Sequence, residues 1–206
     1  MFKGSNVALV TPFKDNKLDE ESYIKLINFH LENGTHGLVP AGTTGESPTL
    51  SHKEHEKVIE LCINEAKGKI PVIAGTGSNS TEEAINLTKH AEKAGADGAL
   101  VVTPYYNKPT QEGLYQHYKA INDNCGIPII VYNIPGRSVI DVSVDTMARM
   151  FELKNIAGVK DATGILERVD QHKSKLGSEF IQLTGEDGLA FEYNKRGGVG
   201  CISVTA

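Results

Sequence analysis

The chain has 206 residues, of which 39% are hydrophobic and 23% are charged, and its formal net charge is −5. This length can bury one substantial core, and the composition is that of an ordinary globular protein. The acidic balance argues against a nucleic-acid binder, which would carry a basic patch, and no apolar run approaches the ~18 residues that cross a membrane.

The N-terminal residues and the cysteines indicate the compartment. The sequence MFKGSNVALV has neither the apolar core of a signal peptide nor an arginine-rich leader. Cys62, Cys125 and Cys201 are odd in number and far apart, which is neither a disulfide framework nor a zinc pattern. We therefore expect a cytoplasmic protein.

Short apolar runs along the chain predict eight strands. Most of them are near-continuous Val, Ile and Leu, which is typical of parallel strands that are covered on both faces. The runs are Val7–Val10, Gly37–Ala41, Pro71–Gly75, Ala99–Thr103, Pro128–Tyr132, Ile156–Lys160, Phe180–Thr184 and Val199–Val204.

Helical patterns lie between these runs. Ser51 with Glu54, and Ser80 with Glu83, each predict a capping box at a helix start. Glycines just before the next strand predict helix ends in left-handed backbone. These glycines are Gly34, Gly68, Gly95, Gly126, Gly177 and Gly197.

Alternating strands and helices fit either an open doubly wound sheet or a (β/α)8 barrel. Eight similar strands favour the (β/α)8 TIM barrel, as a single domain over residues 1–206. Such barrels usually need ~250 residues, and no helical pattern follows the eighth strand. We therefore expect a barrel truncated at its C-terminal end after strand eight, with one apolar face of that strand needing a cover.

Lys160 ends a strand that should be buried, at the end of the barrel where active sites lie. Burial lowers the pKa of a lysine, and a neutral amine can attack a ketone to form a Schiff base. The alternative is a lysine whose ammonium reaches the solvent at the rim.

Three other strand ends carry groups that can bind a ligand or transfer a proton. The Gly42–Gly45 segment offers threonine hydroxyls and backbone N–H groups for an anion, or it is only a tight turn. Tyr132 and Tyr106 are either proton shuttles or rim aromatics. Arg137 either binds a carboxylate or is a solvated loop charge.

Two motifs fail on inspection. Gly75–Ser80 has the shape of a dinucleotide fingerprint, but its last position is Ser80 where helix packing needs a small Gly or Ala. His52 and His55 lack the HExxH spacing and a third ligand. The sequence thus predicts neither a metal nor a nucleotide cofactor.

Taken together, the strand ends resemble one family. The segments GTTGE, PYY, YNIPGR and VKDATG, in this order, are similar to the dihydrodipicolinate synthases of the N-acetylneuraminate lyase family of class I aldolases. The resemblance runs over residues 1–206. It implies a barrel enzyme without cofactor that condenses pyruvate with L-aspartate 4-semialdehyde to 4-hydroxy-tetrahydrodipicolinate, on the route to diaminopimelate and lysine.

The resemblance also implies residue roles. Lys160 matches the Schiff-base lysine, Tyr132 the proton relay, and Thr43 the hydroxyl that links Tyr132 to Tyr106. In the family, Tyr106 comes from the neighbouring subunit of a tight dimer. The residues matched to substrate binding are Thr44 for the pyruvate carboxylate, Arg137 for the semialdehyde carboxylate, and Gly185 and Ile202 for the pocket wall.

The resemblance implies oligomerisation and regulation as well. Family members form homo-oligomers, commonly a dimer of dimers, and some are inhibited by lysine at the dimer interface. The positions that match the lysine site are Ser47, His52, His55, Asn79, Glu83 and Tyr105. A purely structural role is the alternative, since Glu83 completes a capping box and the histidines lie in the first turns of a helix.

Three alternatives stay open. Thr43, Thr44 and Arg137 favour the synthase over a sugar-acid lyase of the same family. A non-catalytic remnant that binds a keto acid fits the short C-terminal end but not the complete set of catalytic positions. A nucleotide-dependent oxidoreductase would need the glycine fingerprint that fails.

Overall fold

A computed structural model describes residues 2–206, and its central feature is a cylinder of eight parallel strands. The strands are β1 (Gly4–Ala8), β2 (Gly37–Val39), β3 (Ile73–Gly75), β4 (Gly98–Val102), β5 (Ile129–Asn133), β6 (Ile156–Asp161), β7 (Ile181–Thr184) and β8 (Gly200–Ser203). Each predicted apolar run overlaps one of them, so the eight predicted strands are confirmed, with ends that differ by one to three residues in several cases.

The strands follow each other around the cylinder in the order β2, β1, β8, β7, β6, β5, β4, β3. A bridge between Leu38 and Val72 joins β2 to the segment just before β3 and closes the circle. Leu38 N donates to Pro71 O at 2.9 Å beside this bridge. The predicted (β/α)8 barrel is therefore confirmed, and the open doubly wound sheet is excluded.

Seven helices follow the first seven strands in turn. They are α1 (Glu20–Glu32), α2 (His52–Ala66), α3 (Thr81–Ala94), α4 (Gln111–Asn124), α5 (Val144–Phe151), α6 (Glu167–Leu176) and α7 (Ala190–Arg196). Short helical segments also occur at Ser47–Thr49, Pro135–Ser138 and Asp187–Leu189. No helix in the described part of the chain is long and apolar enough to cross a membrane.

The helix caps agree with the predictions at most positions. Ser51 and Glu54 form the full capping box at α2. At α3, Ser80 accepts from Glu83 N, but the expected return bond is wrong, because Ser80 N donates to Ser78 Oγ instead. The prediction of left-handed backbone at Gly126 is also wrong, since the residue that caps the C-terminal end of α4, Cys125, has extended backbone and Gly126 has no positive φ.

A small hairpin after β1 was not predicted. Phe13–Lys14 pairs antiparallel with Lys17–Leu18 around a turn at Asp15 and Asn16, whose φ angles are 52° and 58°. Both central residues are thus left-handed, which is the geometry of a tight type I′ hairpin turn.

Two apolar layers hold the barrel. Its interior is filled by side chains that include Ala8, Val39, Ile73, Leu100 and Ile130. A second layer lies between the strands and the surrounding helices. Because neighbouring residues of a strand point to opposite faces, each strand supplies both layers, which explains the near-continuous apolar runs.

Candidate active site

A cavity of about 270 Å³ opens at the carboxyl ends of β2 to β5. Side chains from the turns after these strands line it, and the chemically versatile ones are Thr43, Ser47, Tyr105, Tyr132 and Arg137. This is the end of a (β/α)8 barrel where active sites are built, because the strand-to-helix turns converge there.

Lys160 lies beside this cavity, behind the ring of Tyr132. The two residues are paired in register on the adjacent strands β5 and β6, so both side chains point into the barrel at the same level. The Lys160 Nζ atom lies over the Tyr132 ring, 4.1 Å from its centroid. Tyr132 also lines the cavity and therefore joins it to the amine.

The environment of Lys160 favours the neutral amine. Only 5% of the residue is exposed, and burial lowers its pKa from 10.5 to about 8. The negative charges of Asp187 and Glu186 oppose this fall, because they stabilise the ammonium form. The result is an amine that is partly unprotonated near neutral pH, as a nucleophile must be.

Tyr132 is also buried, and its phenol stays protonated. Burial raises the pKa of Tyr132, while the charge of Arg137 and the hydroxyl of Thr43 oppose that rise. A protonated phenol next to an amine can donate its proton and take one back. Thr43 and Arg137 lie on the turns after β2 and β5, so the two turns flank the same hydroxyl.

The turn after β2 has an anion-binding character. Glu46 N donates to Thr43 O at 3.1 Å, and Ser47 N donates to Gly42 O at 3.3 Å. The backbone N–H groups of Thr43 and Thr44 donate to no group within residues 2–206. Successive free N–H groups in a turn suit a carboxylate.

Gly185 leaves no room for a side chain beside Lys160. A Cβ atom at this position would lie 2.9 Å from Lys160 Cε and 3.0 Å from Ala162 Cβ. Ile202, on β8, is fully buried in the barrel interior. Ile202 is therefore inside the barrel and Gly185 lies at the carboxyl end of β7 beside Lys160, although neither lines the cavity of about 270 Å³.

Tyr106 is a predicted site residue that also lies outside this cavity. It is 88% exposed, and its φ angle of 72° is in the left-handed region that aromatic residues rarely adopt. Its neighbour Tyr105 lines the cavity instead. The single chain therefore does not bring Tyr106 to Tyr132.

Four of the six predicted effector residues line one of two cavities. His52 Nε2 lies 2.8 Å from Glu83 Oε1, and both line a second cavity of about 280 Å³ between α2 and α3. Ser47 and Tyr105 line the first cavity. His55 is only 3% exposed. Asn79 accepts a bond from Asn107 through its backbone carbonyl.

Two sets of residues near the site were missed in the sequence. Glu186 and Asp187 follow Gly185 and place negative charge near Lys160. A brace under the Arg137 turn was also missed: Asn133 Nδ2 donates to Asp141 Oδ1 at 2.8 Å, and Arg168 pairs with Asp141. The cue for the charges was the GED sequence after β7, whereas no local pattern links the members of the brace.

Comparison with known proteins identifies the family. The sequence pattern of the dihydrodipicolinate synthetase family matches residues 1–206. The chain belongs to this family. No group of three or more His, Cys, Asp or Glu side chains in residues 2–206 is arranged to hold a metal ion.

Individual members of the dihydrodipicolinate synthetase family are similar to this chain in sequence and in structure. The 4-hydroxy-tetrahydrodipicolinate synthase of Pelagibacter ubique (strain HTCC1062) is 78% identical over the whole of this chain, which spans 70% of that protein. The chloride-inhibited dihydrodipicolinate synthase of Acinetobacter baumannii, complexed with pyruvate, is 52% identical, with a TM-score of 0.98 over all of this chain and 71% of that one.

A third relative carries a different ligand. The dihydrodipicolinate synthase of Cyanidioschyzon merolae, with lysine bound, is 40% identical, with a TM-score of 0.96 over 99% of this chain and 70% of that one. The predicted family and the predicted fold are both confirmed.

Proposed function

We propose that this chain is a lyase that condenses pyruvate with L-aspartate 4-semialdehyde to 4-hydroxy-tetrahydrodipicolinate, with Lys160 as its nucleophile. Relatives that are 62–78% identical bear the name of this activity. The observation that carries the residue assignment is the buried Lys160 amine, with its pKa lowered to about 8, in contact with the Tyr132 ring. This proposal gives the reaction a place in lysine and diaminopimelate biosynthesis.

In the first half-reaction, the neutral Lys160 amine attacks the ketone carbon of pyruvate. The resulting carbinolamine loses water to give an imine, and Tyr132 supplies and recovers the protons, because its phenol is protonated and adjacent. The turn at Thr43 and Thr44 holds the pyruvate carboxylate through its free N–H groups and the Thr44 hydroxyl.

In the second half-reaction, the imine withdraws electrons, so the methyl carbon loses a proton and becomes an enamine nucleophile. It attacks the aldehyde carbon of the semialdehyde, whose carboxylate binds Arg137 at the cavity mouth. The amine of the semialdehyde then displaces Lys160 and closes the ring. The chemistry uses groups of this chain and needs no cofactor.

Borohydride trapping tests the assignment. Incubation with pyruvate and borohydride should give one reduced adduct, on the peptide that contains Lys160. Lys160→Arg should abolish the adduct, because the guanidinium stays protonated. Lys154→Arg is the matched control, since Lys154 is exposed and lies just before the same strand. An adduct elsewhere, or none, contradicts the proposal.

Tyr106 fits a role in a second copy of the chain. We propose that it enters the site of a neighbouring subunit, within a dimer of dimers, and connects Tyr132 through Thr43 to solvent. Its 88% exposure and left-handed backbone support this, because strained, exposed aromatic residues tend to serve contacts outside their own chain.

Subunit mixing tests this exchange. Lys160→Arg and Tyr106→Phe chains should each be nearly inactive alone. Mixed one to one and reassociated, they should recover about a quarter of the normal activity, because half the dimers are mixed and each has one complete site. Absence of recovery, with mixed dimers present, contradicts the exchange.

The cavity between α2 and α3 supports a regulatory proposal. We propose that lysine binds around His52 and Glu83, together with Ser47, His55, Asn79 and Tyr105, at a subunit interface. A paired carboxylate and imidazole suit the ammonium and carboxylate groups of an amino acid. Glu83→Gln should weaken lysine inhibition, with activity in the absence of lysine retained, and inhibition that is unchanged contradicts the site.

The cysteines support a cytoplasmic location. Cys62, Cys125 and Cys201 are all unpaired thiols in the structure. Unpaired cysteines are typical of a reducing compartment. We accordingly propose that the enzyme acts in the cytoplasm, and fractionation of cells that express the intact protein checks this.

A further inference from the structure

A cluster of buried polar side chains lies on the outer face of the barrel wall, directly behind Lys160. Asp161 follows Lys160 on β6 and therefore points to the opposite side of the strand, toward α6 and α7. His172 on α6, Gln182 on β7 and Tyr193 on α7 share this space. All four, here called the outer polar cluster, are at most 3% exposed.

The hydrogen bonds of Asp161 are incomplete. Its Oδ1 atom accepts from Thr163 N at 2.9 Å and from Thr163 Oγ1 at 2.6 Å. Its Oδ2 atom and the Tyr193 hydroxyl, both buried, have no partner within residues 2–206. A buried polar atom without a partner destabilises the folded state, so native proteins seldom leave one unsatisfied.

Within residues 2–206, no cationic side chain pairs with the Asp161 carboxylate. Arg168, the nearest arginine on α6, pairs with Asp141 and donates to Val142 O. The negative charge of Asp161 opposes the lowering of the His172 pKa by burial, so the imidazole is within electrostatic reach. Both ring nitrogens of His172 nevertheless lack a hydrogen-bond partner in the described chain.

The two residues that carry these unsatisfied atoms line the same small cavity. Its volume is about 10 Å³, and its polar walls include Asp161, Thr184 and Tyr193. A cavity of this size accommodates one water molecule, which is stable where two or more polar groups surround it. Such a water can donate to Asp161 Oδ2 and accept from the Tyr193 hydroxyl.

We propose that a single buried water bridges Asp161 and Tyr193, and that these two are positioning residues for Lys160. The bridge fastens the carboxyl end of β6 to α7, while Gly185 N donates to Asp161 O at 2.7 Å on the β7 side. With both sides fixed, the strand end that carries Lys160 has one orientation. This inference rests on the proposed imine chemistry at Lys160.

The test removes the Tyr193 hydroxyl alone. Tyr193→Phe should slow the single-turnover rate of pyruvate adduct formation at Lys160 by about tenfold, because small misplacements of a reacting group are costly. Final adduct yield should stay at one per chain, and the KM for the semialdehyde should not change. Tyr23→Phe is the matched control, since its hydroxyl is equally buried and unpartnered but lies on α1.

Changes at Asp161 separate positioning from folding. Asp161→Asn should slow adduct formation, whereas Asp161→Glu, which keeps the carboxylate, should restore a larger part of the rate. A purely structural role would lower the melting temperature of Tyr193→Phe and Tyr23→Phe alike and leave the adduct rate per folded chain unchanged. That outcome overturns the inference.

A high-resolution crystal structure provides a measurement that does not depend on the variants. A solvent peak within hydrogen-bond distance of both Asp161 Oδ2 and the Tyr193 hydroxyl supports the bridge. A direct bond between the two side chains, without a peak, overturns it. Failure of the unaltered protein to form an adduct at Lys160 refutes the proposed function and the inference together, whereas a normal rate in Tyr193→Phe overturns only the inference.

Discussion

The buried amine of Lys160 makes the stability of the protein depend on pH in a specific window. In the unfolded chain this lysine titrates near 10.5, and in the folded chain it titrates near 8. Below both values the folded state holds the ammonium form in a site that disfavours it. At about 1.4 kcal/mol per pKa unit, this costs about 3 kcal/mol.

Lys160→Met removes that cost, because methionine fills a similar volume without a charge. At neutral pH we expect the variant to be more stable by about 3 kcal/mol. Between pH 8 and 10.5 the unfolded state of the original protein binds more protons than the folded state, so its stability rises with pH. The advantage of the variant should therefore shrink across this window and be lost above it.

Urea denaturation of both proteins across this pH range, at one protein concentration, measures the difference. Titrating groups that do not interact with Lys160 contribute equally to both proteins and cancel in the difference. Lys154→Met is the control, because Lys154 is exposed and should give no such trend. If the difference between Lys160→Met and the original protein is constant with pH, Lys160 is not shifted in the folded state and the reasoning is wrong.

Three further predictions concern the same site. Gly185→Ala should suppress pyruvate adduct formation, because the new methyl group would lie 2.9 Å from Lys160 Cε. Gly188→Ala is the control, since its methyl group would have no atom within 4 Å, and mass spectrometry after trapping compares the two variants. Asp187→Asn should lower the pH midpoint of adduct formation below about 8, because the Asp187 carboxylate raises the pKa of Lys160. Cyanoborohydride trapping across a pH series measures this midpoint, and an upward shift contradicts the assignment. Arg168→Ala should raise the KM for the semialdehyde at least severalfold in steady-state assays, because the Asp141 brace under the Arg137 turn is lost, while pyruvate trapping stays normal.

The barrel was predictable because its signals are local and repeated. Each strand is an apolar run, most strands are preceded by a glycine, and both features are visible over a few residues. The hairpin at Phe13–Leu18 was not, since two-residue strands are too short to show a pattern. The Glu83 carboxylate was expected either to complete a capping box or, through the family resemblance, to lie in one site with His52. In the folded chain it contacts His52 and also Ser78, and no sequence spacing indicates the contact with Ser78.

The site was predictable only in part. Lys160 and Tyr132 each end a strand, and the barrel topology brings adjacent strand ends together, so their contact follows from the order of the elements. The brace of Asn133, Asp141 and Arg168 joins residues far apart in the chain. Its geometry depends on how the turn after β5 packs on α6, and a single sequence contains no record of that packing.

The closure between β2 and β3 has a consequence for motion. Most neighbouring strands share several paired residues, but here Leu38 and Val72 form an isolated bridge, with two flanking backbone bonds from Leu38 N and Gly75 N. A β-barrel opens most easily between the two strands that share the fewest backbone hydrogen bonds. The turn at Thr43 and the β3 edge of the cavity flank the junction of β2 and β3, so widening of this junction would enlarge the reaction chamber without disturbing Lys160 on the far side.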